Sequence, residues 1–419
     1  MTNVAIAGVG YTPVFVSKRK DVNIAELINE SVNAALRNTN LTPDDIDAVT
    51  MGNMQTFEGL NMPHLWTSEH ILSVDKPILR IATGGTTGMS TLHAAYYYVA
   101  SGLYDVVMAV TWEKHSEGDA QVGLAGIVMP EVMVMVQNGL DLIGGGGLSA
   151  MGGGSTGAAS FQAMSYLHHS GADPEHIDKM AALERSNAAL NPYAHLRKLA
   201  PDGTPQKVTV EEIQQTPFIA WPLRYGHTCP TTDGATTVIV MSEEKVKKLT
   251  DGNVAWITGV GSATSDPSTA NFLEGQLTDP AEQKPARLAS EKAYAMAGIK
   301  DPSKEFDMAE LYDGFAHQCL MWLEKLACCK EGEAHKLLDA GALDLDGELP
   351  TNASGGVFST NSIGDSAINR PAECALQIMG KIEGGHKIPK KIRKALAHGW
   401  GGMFQYVTVT VLADEPVKR

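Results

Sequence analysis

The chain has 419 residues, 43 % hydrophobic and 19 % charged, so it can bury a sizeable core and is not a disordered chain. At roughly 150 residues per domain it holds about two to three lobes. A net charge of −15 argues against nucleic acid or an anionic membrane as partner, while leaving room for a local basic pocket for a phosphorylated ligand.

The chain opens with the apolar run Val4–Ala7 and then Gly8-Val9-Gly10, a pattern that predicts a strand and a tight turn. A helix follows over Ile24–Leu36, then an acidic turn and a strand at Ala48–Thr50. Next come an apolar helix from Thr91 to Ser101 and a strand at Val106–Val110. Residues 118–220 differ in character. They hold glycine-rich stretches (Gly144–Gly147, Gly152–Gly154), helices over Ala158–His169 and Pro174–Ala189, and an irregular, partly basic segment at 191–198. Such an insertion reads as a lid or ligand-binding loop domain.

The opening pattern then recurs. Val254–Ile257 precedes Thr258-Gly259-Val260-Gly261, a helix spans Ala286–Ala297, and an acidic turn leads to a strand at Met308–Leu311. A helix at Pro371–Lys381 and a closing strand at Tyr406–Leu412 complete this part. Two strand–glycine–helix–strand units about 250 residues apart predict a duplicated α/β domain. The first half comprises 1–117 and 221–250, the inserted domain 118–220, and the second half 251–419.

The cysteines Cys229, Cys319, Cys328, Cys329 and Cys374 form no CxxC pair, and the histidines lack paired ligand spacing, so no metal site is expected in this chain. An odd number of thiols suits a reducing cytosol. The N-terminus lacks the basic and apolar regions of a signal peptide. The apolar stretch from Val122 to Gly154 is broken by Pro130, Glu131, Gln137 and Asp141 before about 18 clean residues accumulate. A cytoplasmic protein is the expectation.

Five segments carry a resemblance: Arg80–Ser90 (RIATGGTTGMS), Cys229–Ala235 (CPTTDGA), Glu310–Phe315 (ELYDGF), Asn352–Ser359 (NASGGVFS) and His398–Met403 (HGWGGM). In order and spacing the chain resembles the thiolase superfamily. It is most similar to the sterol-carrier-protein-x-like branch and to thiolase-like subunits that pair with a zinc-ribbon/OB-fold protein. The resemblance implies a five-layered α/β/α/β/α core made of two similar halves, with an inserted lid. It also implies a homodimeric core within a heterotetramer, and zinc only in the partner subunit.

The family's nucleophilic cysteine opens a buried helix, where the N-terminus lowers a thiol pKa and offers N–H groups to an oxyanion. Gly88 matches the motif's glycine and Thr87 its serine, which puts Gly85 at the cysteine position. The loop histidine falls near Ser362, and the second cysteine is replaced by His398. An acyl-cysteine therefore cannot form at Gly85. Removing that side chain is expected to open room for a bulky acyl group, lined by Thr86, Thr87 and Ser362. The backbone N–H groups of Gly85, Trp400 and Gly401 are the expected oxyanion donors.

Tyr312, Asp313 and His398 are the candidate catalytic residues, with His398 the general base. Each also has a plain structural reading: Tyr312 as a core aromatic, Asp313 as a helix cap, His398 as a satisfied buried histidine. His227 and Cys229 read as structural, and Cys328-Cys329 and Cys374 as core packing. The expected substrate is a coenzyme A thioester with no covalently bound cofactor. The leading expectation is (retro-)aldol chemistry on a bulky β-hydroxyacyl-CoA. Claisen cleavage or condensation of an aromatic or branched β-ketoacyl-CoA is the alternative, and a non-catalytic scaffold subunit the third.

Overall fold

The computed structural model describes residues 2–118, 154–265, 279–402 and 405–418. Its strands are β1 (Val4–Tyr11), β2 (Ala48–Gly52), β3 (Ile78–Ile81), β4 (Val106–Glu113), β5 (Phe218–Ala220), β6 (Leu223–Arg224), β7 (Gly234–Ser242), β8 (Ala255–Thr264), β9 (Met308–Glu310), β10 (Lys394–Gly401) and β11 (Tyr406–Ala413). The longer helices are α1 (Ile24–Thr39), α2 (Thr87–Ala100), α3 (Gly154–Ser170), α4 (Pro174–Leu190), α5 (Lys284–Ala297), α6 (Ala316–Lys325) and α7 (Ser366–Met379). None of the described helices is long and apolar enough to cross a membrane.

The layers follow from strand alternation, which sends neighbouring side chains to opposite faces. On the outer face of the first half, Ala5, Val49, Met51, Met108 and Ile239 pack against Leu27, Ile28, Val32 and Ala35 of α1. On its inner face, Val107, Ala109, Val238 and Val240 meet α2 and α7 through Met89, Leu92, Ile368 and Ala372. Met308, Ala395, Ala397 and Leu412 of the second half close on those same two helices. Leu396, Val407, Val409 and Val411 point the other way, onto α5 and α6. Five layers, α/β/α/β/α, result. They differ from expectation in one respect: the halves' sheets are not separate. The strand order β3-β2-β4-β7-β1-β8-β11-β10-β9 is continuous, through a seam of two residue pairs, Ala5↔Trp256 and Ile6↔Ala255.

The glycine patterns that mark the duplication are not turns. β1 runs through Gly8-Val9-Gly10, and β8 runs through Gly259-Val260-Gly261. A Cβ on Gly10 would stand 2.2 Å from the backbone of Ser31 and Ala35 in α1. On Gly259 and Gly261 it would stand 2.2 and 2.0 Å from the carbonyls of Ala293 and Ala289 in α5. The same device thus seats a helix on a strand in both halves.

α7 also starts earlier than its proline suggests, because Ser366 N–H already donates to Ser362 O at 2.8 Å; Pro371 lies inside the helix. In the insertion, α4 docks on the second half, with Asn187 and Asn191 donating to the carbonyls of Asn352 and Ser354 at 3.2 and 3.0 Å. The glycines at 144–147, 152 and 153 lie outside the described residues. Gly10→Ala and Gly261→Ala should each lower unfolding free energy by about 1–3 kcal/mol, the usual cost of overpacking. Denaturant midpoints unchanged in both variants would refute this seating of the helices.

Candidate active site

Two glycine-bearing loops, one from each half, meet backbone to backbone at the start of α2. A Cβ on Gly401 would stand 2.6 Å from Gly85 N and 2.8 Å from Thr86 N. A Cβ on Gly85 would stand 2.5 Å from Trp400 O and 3.3 Å from the hydroxyl of Tyr312. Gly85 therefore does not open an acyl pocket, as the sequence suggested. The space is already filled by the Trp400 carbonyl and the Tyr312 phenol. Trp400 faces Gly85 with an acceptor, and Gly401 presses on the Gly85 and Thr86 amides, so the expected oxyanion set does not converge there. Thr86 and Thr87 are fully buried, and their hydroxyls donate to Thr83 O and Gly84 O at 2.6 Å. They tie the loop rather than line a pocket.

Tyr312 and His398 are brought together by register. β9 and β10 run parallel with Ala397 opposite Glu310, so the residues just beyond are neighbours. Tyr312 N–H donates to His398 Nδ1 at 3.3 Å. A nitrogen that accepts carries no proton, so the neutral ring holds its proton on Nε2. That Nε2 is buried and has no hydrogen-bond partner among the described residues. Burial pushes the imidazole down to about 3, which keeps it neutral. His398 is thus set as a hydrogen-bond donor, not as the general base expected from an ordinary imidazole. Burial, with Cys229 next, raises the Tyr312 phenol, which stays protonated.

Asp313 does not cap the helix that follows it in sequence, as one reading expected, since Phe315 holds that N-cap position; it serves a distant helix instead. Its Oδ1 accepts from Val357 and Phe358 N–H at 3.0 and 3.4 Å, at the head of the short Gly356–Ser359 helix. No hydrogen bond joins it to His398 or to the Tyr312 hydroxyl among those of the described residues. Its carboxyl lies with Glu184 and Cys319 in a fully buried group whose ligand-type atoms fall within 4.8 Å of one another, a spacing unforeseen in the sequence. Burial raises Asp313 to about 6, and raises Glu184 and the Cys319 thiol well above their usual ranges. Burial thus favours the protonated forms of all three groups.

Ser362 turns away from the site: its hydroxyl donates to Asp365 Oδ2 at 2.6 Å, in a network with Thr111. Near the position of the missing loop histidine stands His115, contributed from the end of β4. Its Nε2 accepts from Ile363 N–H at 3.0 Å, and its ring lies 4.0 Å from that of Phe57. Cys229 is also closer to the chemistry than expected. Its N–H donates to Gly314 O at 3.1 Å, and Asn361 Nδ2 donates to its Sγ at 3.1 Å. Burial pushes its thiol up to about 11, which leaves it a poor nucleophile. His227 is structural, paired with Asp178 at 2.7 Å.

An open cleft of about 880 Å³ lies beside Cys229 and His115, with none of Gly85, Tyr312 or His398 in its lining. Lys18, His115, Arg185, Arg197, Lys198 and Cys229 line it, a basic lining on an acidic chain. No spacing motif announces it, because its residues come from six separate segments between Ser17 and Thr231.

Fold and loops together define a thiolase-type site stripped of its thiols. The chain matches the thiolase N-terminal domain over residues 4–244 and the thiolase C-terminal domain-like family over 248–414, and it belongs to the thiolase family. It is similar to the acetyl-CoA acetyltransferase of Methanocaldococcus jannaschii, 27 % identical over 99 % of this chain and 100 % of that one. It is similar to the 17-hydroxy-3-oxo-4-pregnene-20-carboxyl-CoA lyase of Mycobacterium tuberculosis, 28 % identical over 90 % of this chain and 91 % of that one. Among solved structures it superposes on the Ltp2-ChsH2(DUF35) aldolase with a TM-score of 0.77, at 24 % identity and covering 99 % and 98 % of the two chains.

The buried His398 gives a signed pH prediction. In the folded chain it is neutral down to about 3, whereas unfolded histidine protonates near 6.5, so acid favours the unfolded chain. Between pH 6 and 4 the wild type should lose about 1.4 kcal/mol per pH unit more than His398→Gln. Parallel stability–pH curves would contradict a neutral, buried His398.

Proposed function

We propose that this chain makes or breaks the carbon–carbon bond beside the thioester of a bulky β-hydroxyacyl-CoA by (retro-)aldol chemistry, without an acyl-cysteine. One observation carries the reading. The Tyr312 hydroxyl stands 3.3 Å from where a side chain on Gly85 would begin, so an acid–base group occupies the nucleophile's place. In the addition direction the protonated phenol delivers its proton to the aldol oxygen as the bond forms. The phenol is restored by the proton that the acyl α-carbon loses on becoming the enolate. In cleavage, the microscopic reverse, Tyr312 gives its proton to the α-carbon as it takes the β-hydroxyl proton, so it begins and ends protonated. His398, with its proton on Nε2, donates to the thioester oxygen as enolate charge develops. Asp313 holds the Gly356–Ser359 loop rather than moving a proton.

The cleft supports a coenzyme A thioester as substrate: Lys18 and Arg197 suit its phosphates, with Lys198 beside them paired to Glu212, and Cys229 lies in the same lining. The lyase named among the relatives points the same way. The archaeal acetyltransferase, matched over its whole length, favours a second reading: Claisen chemistry in which the CoA thiolate attacks a β-ketoacyl group directly. A zinc-ribbon/OB-fold partner is the proposed companion, supported by the two-component name of the solved Ltp2-ChsH2(DUF35) aldolase. A homodimeric core is supported by the exposed edge strand β3, with Leu79 flanked by exposed Met62, Leu65 and Trp66. The cytosol is the proposed location, since the five cysteines stand unpaired.

Tyr312→Phe and His398→Ala should each lower turnover by roughly 10²–10⁴-fold, with coenzyme A affinity retained. Intact-protein mass after incubation with substrate and acid quench should show no acyl adduct. Near-normal rates in both variants, or an acyl group on any cysteine, would defeat the proposal.

A further inference from the structure

Trp322 lies in α6, wholly buried, and touches both candidate catalytic residues at once. Its indole Nε1–H donates to Tyr312 O at 2.7 Å. Its ring covers the His398 imidazole, with centroids 4.5 Å apart and planes inclined at 46°. The two peptides flanking Tyr312 are therefore tied in opposite directions. The one ahead of it donates its N–H to His398 Nδ1, and the one after it offers its carbonyl to Trp322. With both peptides held, the Tyr312 side chain is aimed at the gap above Gly85. His398 can keep its Nε2 proton only while the Tyr312 N–H stays pointed at Nδ1. The indole N–H holds the peptide after Tyr312, and so restrains the Tyr312 backbone on the far side of its Cα from the N–H that meets Nδ1. A buried carbonyl left without a donor would cost about 1–3 kcal/mol and reorient to find one.

We infer that Trp322 is a positioning residue: its indole N–H fixes the Tyr312 backbone, and through it the tautomer of His398. The inference rests on the roles proposed above for Tyr312 and His398, but its direct readout does not need activity.

The test uses the full chain labelled with ¹⁵N-histidine, with His398 assigned by difference from His398→Gln. At neutral pH the wild type should show His398 Nδ1 as an acceptor-type nitrogen and Nε2 as a protonated one. Trp322→Phe keeps an aromatic ring beside the imidazole and removes the N–H together with part of the indole's buried volume. It should turn the His398 signals into a mixture of tautomers. It should also lower kcat on a β-hydroxyacyl-CoA by about 10²-fold, the cost of misplacement by about 1 Å, with KM little changed. An unchanged tautomer in Trp322→Phe, or a loss confined to KM, overturns the inference. So does the opposite tautomer in the wild type, which decides the matter if the variant fails to fold. If the wild type turns over no hydroxyacyl-CoA, the aldol reading fails, while the tautomer comparison still decides the role of Trp322.

Discussion

The contact of Gly401 with the Gly85–Thr86 backbone is the constraint on which the rest of the site depends. A Cβ on Gly401 or on Gly85 would come within 2.5–2.6 Å of the opposing chain, so neither position accepts a side chain without a shift of backbone. The contact brings the end of β10 onto the start of α2 and so joins the two halves at the reacting centre. It also removes the room that a thiol would need. The absence of a nucleophile is thus built into the packing and is more than a single substitution in an otherwise ready site. What takes its place is the Tyr312 hydroxyl, delivered from the second half by the end of β9.

Burial sets the chemistry of what remains. An imidazole held neutral, a phenol held protonated and a carboxyl cluster held partly protonated form a site of donors and shared protons, poor in free charge. Such a site suits a reaction in which charge appears on substrate oxygens and must be met by fixed dipoles. The charge this centre lacks is concentrated outside it, in the basic lining of the cleft. The proposed function therefore assigns phosphate binding and proton handling to separate places, on loops fixed by different elements.

Much of this architecture was legible in the sequence, and the rest was not for physical reasons. The repeated helix and strand periods pointed to a duplicated α/β domain, the family resemblance supplied the five layers, and the segments at Glu310–Phe315 and His398–Met403 pointed to Tyr312 and His398. The parallel register of β9 and β10 then put those two residues side by side. The direction of a hydroxyl is not written in a motif: Thr86, Thr87 and Ser362 sit where expected but donate inward, to Thr83, Gly84 and Asp365. Nor is a helix pressed on a strand, so Gly8-Val9-Gly10 reads as a turn although it is a seat for α1. His115, Cys229 and Glu184 come to the site through contacts such as those to Ile363, Asn361 and Asn352, 132 to 248 residues away in the chain, which no local pattern encodes. The tautomer of His398 depends on one backbone N–H and could not be read from the residue's identity.

Reaction stoichiometry tests the central claim most directly. Thiolytic cleavage consumes one free coenzyme A for each carbon–carbon bond broken, whereas retro-aldol cleavage consumes none. A β-hydroxyacyl-CoA incubated with the chain and its companion subunit, with free coenzyme A removed, should give a shortened acyl-CoA and an equimolar carbonyl compound. Its rate should not change when coenzyme A is restored at concentrations below those that compete for the cleft. Cleavage that stops without free coenzyme A and resumes in proportion to its addition would contradict the account.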